Sequence, residues 1–114
     1  MDDRAQILIV DDEELNRVVL RDYLTVLDYR ICEAPDGRQA LNMVSDVQPD
    51  LVLLDLMMPH MDGFEVLDAL KADPACRHLP VIMVTAVDDL DSAAHCINAG
   101  AEDYLLKPFN ATIL

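Results

Sequence analysis

The sequence predicts an α/β domain: a doubly wound, five-stranded parallel sheet with helices on both faces. Three observations carry that expectation. Five short apolar runs alternate with stretches of helical periodicity, the β-α alternation that right-handed crossovers turn into a parallel sheet. The runs around Ile7–Val10 and Leu51–Leu54 show no polar alternation, as expected of strands covered on both faces. Finally, Asp11, Asp12, Asp55, Thr85 and Lys107 all fall at or just past the ends of such runs, and in a parallel sheet those ends share one edge.

In chain order, Gln6-Ile7-Leu8-Ile9-Val10 is the first strand and runs into the acids Asp11-Asp12-Glu13-Glu14. Leu15, Val18, Val19, Tyr23, Val26 and Leu27 then recur at helical spacing, with Asp12 placed to cap the helix and acids filling its first turn. Arg30 to Ala34 is a weaker second strand. After the Pro35-Asp36-Gly37 turn, Ala40, Leu41, Val44 and Val47 mark a short helix that ends before Pro49. Leu51-Val52-Leu53-Leu54-Asp55 is the central strand, and Asp55 stands where it reaches solvent. Asp62-Gly63-Phe64-Glu65 is a capping-box variant opening a helix on Val66, Leu67 and Leu70, which Asp73-Pro74 stops. Leu79 to Val84 is the fourth strand, followed by Thr85-Ala86. Asp88 to Ala99 reads as a helix with a thin stripe of Leu90, Ala93, Ala94 and Ile97, closed by Gly100. Asp103 to Leu106 is the fifth strand, ending in Lys107-Pro108. The sequence stops at Leu114, roughly one turn into an expected fifth helix, so that helix is expected to be truncated. Residues 1–114 read as a single domain, the N-terminal part of a longer protein or one whose bare face a second copy covers.

Composition narrows the function. Twenty-two acidic against 8 basic residues give a formal net charge of −14, which repels nucleic-acid phosphates and anionic membranes, so neither is an expected partner. Cys32, Cys76 and Cys96 are odd in number and lack CxxC or metal-ligand spacing, the pattern of reduced thiols. No apolar run approaches the ~20 residues of a membrane span and the acidic amino terminus is no signal peptide, so the expected location is cytoplasmic. His60, His78 and His95 lie in no ligand or triad spacing.

The polar edge has a chemistry of its own. Three carboxylates a few Å apart repel by about 4 kcal/mol per pair at an effective dielectric near 20, and so call for a cation. An all-oxygen donor set selects a hard ion, and Mg2+ fits best because it favours a few carboxylates with waters and a phosphate. A lysine and a hydroxyl beside them suit a phosphoryl group, and a carboxylate attacking phosphorus yields an aspartyl phosphate. Asp55 is the natural acceptor because its strand is central. Taken singly, each residue has a plainer use: Asp11 and Thr85 as helix caps, Lys107 as a surface lysine, Tyr104 as a core aromatic. Their coincidence at one edge is what favours the functional reading.

The series Asp11-Asp12, Leu51-Val52-Leu53-Leu54-Asp55-Leu56-Met57-Met58-Pro59 with Met61-Asp62-Gly63, Thr85-Ala86 and Lys107-Pro108-Phe109 resembles the receiver domain of bacterial two-component response regulators. The resemblance runs from Ile7 to Phe109. It implies a flavodoxin-like sheet of order 2-1-3-4-5, with Asp55 receiving phosphate from a phosphohistidine on a sensor histidine kinase or phosphotransfer protein. It further implies Mg2+ held by the Asp12 and Asp55 side chains and the Met57 backbone carbonyl, with Asp11 in support. Thr85 and Lys107 would grip the phosphoryl oxygens, and Tyr104 falls on the switch aromatic that turns inward when Thr85 moves. The Lys107-Pro108 peptide falls on one that is cis in that family. On this reading the chain is no enzyme with a separate substrate but a phospho-acceptor that controls an output domain or partner, a homodimer being one expected form. Met57 and Val87, two residues past the acceptor and the hydroxyl, cannot hydrogen-bond an attacking water, which predicts slow self-dephosphorylation. The alternatives are a phosphatase, which needs an acid where Met57 stands, and a non-phosphorylated pseudo-receiver serving as an interaction module. The latter is expected to have lost one of Asp12, Asp55, Thr85 or Lys107, and all four are present.

Overall fold

Short β-branched and leucine-rich runs punctuated by Pro, Gly and Asp give the chain its β-α rhythm. A computed structural model describes residues 3–107, with every side chain except that of Val87. The elements are β1 (Gln6–Val10), α1 (Glu14–Val26), β2 (Arg30–Ala34), α2 (Gly37–Val47), β3 (Leu51–Asp55), α3 (Gly63–Ala72), β4 (Val81–Thr85), a 3-10 turn (Val87–Asp89), α4 (Leu90–Asn98) and β5 (Asp103–Leu106). All strands pair in parallel, in the order β2-β1-β3-β4-β5. The expected fold class and strand order are therefore observed. The fifth helix and the Lys107-Pro108 peptide lie outside the described residues.

β1 and β3 lie in the middle of the sheet, which is why their sequences do not alternate. Leu8, Val10, Val52, Leu54, Val81 and Met83 face one side and pack on Ala40 and Val44 of α2, Val66, Leu67 and Leu70 of α3, and Cys96 of α4. Ile7, Ile9, Leu53 and Val84 face the other side and pack on Leu20 of α1. Each such buried side chain contributes about 1.5–3 kcal/mol, so the two faces together hold the sheet rigid beneath its polar edge.

Four local expectations change. The packed stripe of α1 is centred on Leu20, with Tyr23 and Leu24 half-buried, whereas Leu15 is 71% and Val26 84% exposed. α1 carries apolar residues around much of its circumference, and the single sheet beside it decides which are covered. The N-cap of α1 is Glu13, without a side-chain bond, and not Asp12: the helix starts one residue later than expected, and Asp11 Oδ1 accepts from the Glu13 N–H at 2.9 Å. β4 begins at Val81: Pro80 has no N–H to give a ladder, though its carbonyl accepts from Val52 N. α4 is preceded by a 3-10 turn and packs through Ala93 and Cys96, leaving Leu90 and Ile97 at the surface. Phe64 of α3 stacks on His95 of α4, with ring centroids 4.6 Å apart. None of the described helices is long and apolar enough to cross a membrane.

The entry to α3 is the tightest joint. Asp62 Oδ1 accepts from Glu65 N at 2.9 Å and Glu65 Oε1 from Asp62 N at 3.3 Å, which closes the capping box. Gly63 N donates to Leu56 O at 2.8 Å, drawing the helix start onto the end of β3. A Cβ at Gly63 would stand 2.3 Å from the Asp55 carbonyl oxygen and 2.8 Å from Leu56 Cα. Both obstacles are backbone, so neither yields cheaply. Gly63→Ala should therefore lose about 1–3 kcal/mol of stability, read as a lowered urea midpoint at unchanged slope.

Candidate functional site

Asp11 follows β1, Asp55 ends β3, Thr85 ends β4 and Lys107 follows β5, so the carboxyl ends of four strands supply one cluster. Burial there is nearly complete: Asp11 is 1%, Asp55 2% and Thr85 1% exposed, while Asp12 faces solvent. One carboxylate oxygen from each of Asp11, Asp12 and Asp55 lies within 4.8 Å of the others. Lys107 Nζ donates to Asp55 Oδ1 at 3.0 Å and stands 3.7 Å from Asp11 Oδ2. Its backbone N–H donates to Thr85 O at 2.8 Å, so the strand pairing itself sets the root of this side chain.

Two oxygens are left over. Asp11 Oδ2 and Asp55 Oδ2 are buried without a hydrogen-bond partner, a costly state for carboxylates. A hard divalent cation between the three acids resolves both, and the all-oxygen donor set fits Mg2+.

The remaining expected residues take different positions. The Thr85 hydroxyl donates to Ala86 O at 3.2 Å, so it does not cap α4. Met57 lies in the loop after β3, with its side chain 59% exposed. That loop is pinned by Leu56 N to Val84 O at 2.9 Å, by Met61 N to Pro59 O at 2.8 Å, and by a left-handed His60 at φ 69°. Tyr104 stands partway along the edge strand β5 with its ring partly exposed, short of the cluster. Arg17 was not singled out by sequence reasoning. Its Nη1 donates to Asp11 O at 2.6 Å and its Nε to Glu33 Oε1 at 3.3 Å. The available signal was a cation one turn into α1 at the i−3 position from the buried Leu20.

The electrostatics follow from this packing. Burial pushes the Asp55 carboxyl up; the Lys107 hydrogen bond pulls it back, the charges of Asp11 and Asp12 raise it again, and it comes to rest at about 7. Burial acts to lower the Lys107 pKa, but the hydrogen bond and charge of Asp55, with Asp11 and Glu13 behind, prevail and hold the ammonium above its ordinary value.

Without a metal ion, the native state thus keeps an Asp55 proton that the unfolded chain, with its ordinary value of 3.8, has already lost. The native state binds more protons than the unfolded one between those values, so stability should fall as pH rises from about 4 to about 7. Urea unfolding in EDTA across that window tests this. Asp55→Asn should flatten the profile and exceed the native chain in stability at pH 8, and millimolar Mg2+ should raise the stability of the native chain more than that of the variant.

Comparison with known proteins agrees with this geometry. Residues 7–114 match the model of the response regulator receiver domain. The response regulator PleD of Caulobacter vibrioides is 44% identical over 110 residues, covering 96% of this chain and 24% of that protein. The crystal structure of the N-terminal domain of a response regulator receiver protein from Methanoculleus marisnigri superposes with a TM-score of 0.84 at 42% identity, over 90% of this chain and 84% of that one. The chemotaxis response regulator CheY4 of Vibrio cholerae gives 0.89 at 30% identity, over 96% and 92%. The chain spans about a quarter to under half the length of the leading curated relatives. With its strand order, polar edge and matched span taken together, the chain belongs to the response regulator receiver domain family.

Proposed function

We propose that Asp55 accepts a phosphoryl group from a phosphohistidine on a sensor histidine kinase or phosphotransfer protein. The observation that carries this is the pair of buried oxygens without hydrogen-bond partners on Asp11 and Asp55, with Lys107 Nζ 3.0 Å from the proposed acceptor. Asp55 attacks phosphorus, the P–N bond breaks, and its electron pair leaves with the imidazole. Asp12 and Asp55 side chains and the Met57 carbonyl would hold Mg2+, with Asp11 in support, and the bound ion would offset the acids and draw charge from the phosphoryl oxygens. Lys107 trades its carboxylate partner for a phosphoryl oxygen. Thr85 gives up its bond to Ala86 O and donates to another.

The readout follows from what these groups leave behind. As Thr85 moves toward the phosphoryl group it vacates space at the end of β4, and the partly exposed Tyr104 on the neighbouring strand turns inward to take it. The exposed face of β5 and α4 changes shape, which an output domain or partner can sense. The extra length of relatives such as PleD supports reading the chain as the receiver unit of a longer, cytoplasmic regulator. Homodimerisation of the phosphorylated form is one route to output, and the charge of −14 argues against direct contact with nucleic acid.

Intact mass after incubation with acetyl phosphate tests the reading. A gain of one phosphoryl group that needs Mg2+ and vanishes in Asp55→Asn is the expected result. A folded, Mg2+-binding protein that gains nothing would leave an interaction module as the better account. The exposed Met57 side chain offers no hydrogen bond to an in-line water, so Met57→Gln should shorten the lifetime of the phosphorylated form severalfold, read from the decay of the same mass shift.

A further inference from the structure

The segment Asp11–Glu13 carries two of the three clustered acids, and besides the first-turn bond from Arg17 N to Glu13 O at 3.2 Å it is held at three points. Asp11 N donates to Ala34 O at 3.2 Å, Asp11 Oδ1 accepts from Glu13 N at 2.9 Å, and Asp11 O accepts from Arg17 Nη1 at 2.6 Å. The first restrains Asp11 itself, and the second fixes the Asp12–Glu13 peptide, on the far side of Asp12 Cα. The third fixes the plane on the near side, because the Asp11 carbonyl oxygen and the Asp12 N and Cα lie in one planar peptide unit. The Asp12 side chain is exposed and makes no hydrogen bond among the described residues, so its aim depends on those two planes, of which Arg17 holds one.

Arg17 is itself tethered. Its side chain is 15% exposed, and its Nε reaches Glu33 Oε1 on β2 at 3.3 Å. The other Glu33 oxygen accepts from Arg21 Nη1 at 3.1 Å, one turn further along α1. The planar guanidinium fork can serve the carbonyl and the carboxylate at once, which a lysine cannot.

We propose that Arg17, held by Glu33, is a positioning residue for the divalent-cation site, gripping the Asp11 carbonyl so that Asp12 stays aimed at the other two acids. The proposal rests on the reading that this cluster takes Mg2+. Charge alone gives the opposite sign: a guanidinium near the acids opposes a cation, so its removal would tighten binding. Loss of positioning weakens it.

The test is calorimetric Mg2+ titration of the native chain, Arg17→Ala, Arg17→Lys, Glu33→Ala and the double alanine variant, each also followed by thermal unfolding in EDTA. Groups that orient metal ligands are typically worth 10–100-fold in affinity, so Arg17→Ala should bind Mg2+ about tenfold more weakly while still unfolding cooperatively. Arg17→Lys should recover part of the loss. Because Glu33 acts through Arg17, the double variant should bind no more weakly than Arg17→Ala, whereas independent charge effects would add. Unchanged or tighter binding in a folded Arg17→Ala, or additive losses in the double variant, overturns the proposal. Should Arg17→Ala fail to fold, native-like affinity in Arg17→Lys overturns it equally. A native chain that binds no Mg2+ removes the reading of the cluster and this proposal with it.

Discussion

The constraint that organises this molecule is the burial of the Asp55 carboxyl between two other acids with one ammonium to answer them. Lys107 lies 3.0 Å from Asp55 and 3.7 Å from Asp11, and a single positive charge cannot satisfy both. At an effective dielectric near 20, each close acid pair costs on the order of 4 kcal/mol, comparable with the whole stability of a marginal domain. A fold can keep such a cluster only on a support that does not relax. Here the support is the pair of central strands, β1 and β3, covered on both faces by side chains such as Leu8, Ile9, Leu53 and Leu54.

The same constraint explains the density of backbone anchors around the cluster. Lys107 N on Thr85 O, Leu56 N on Val84 O and Gly63 N on Leu56 O tie the strand ends and the following loop into one piece. The first sets the root of Lys107, and the other two fix the loop that leaves Asp55. The 2.3 Å that a Cβ at Gly63 would leave to the Asp55 carbonyl shows how closely α3 is drawn in, and the reciprocal Asp62–Glu65 bonds fix where that helix begins.

What the sequence made legible, and what it hid, divides along physical lines. Strand β3 and the start of α3 could be read because their signals are local: four apolar residues without alternation, and a capping pair three residues apart. The polar edge was legible because strand ends inherit their positions from topology, and Asp11, Asp12, Asp55 and Lys107 meet there as expected. The packed face of α1 was not legible, since apolar residues surround much of that helix and only the sheet selects Leu20 over Leu15. Asp12 was misread as a cap because the helix begins one residue later, with Glu13 at the N-cap, a one-residue shift that spacing does not reveal. Arg17 escaped notice because its partners, a carbonyl six residues back and Glu33 on β2, are adjacent only after folding.

A carboxyl held at about 7 is by itself a poor nucleophile near neutral pH, because a protonated acid does not attack phosphorus. A cation among the three acids reverses each influence that raises it, offsetting Asp11 and Asp12 and replacing the lost solvation with direct coordination. Under the proposed reading, burial thus makes the acceptor's reactivity conditional on the ion that the transfer itself needs. Lys107 alone cannot substitute, because its one hydrogen bond to Asp55 does not offset the burial that raises the carboxyl, and Asp11 Oδ2 and Asp55 Oδ2 keep no hydrogen-bond partner. The mutual repulsion of the three acids and the dependence of the acceptor on a cation then have one cause, the burial of Asp55 among like charges.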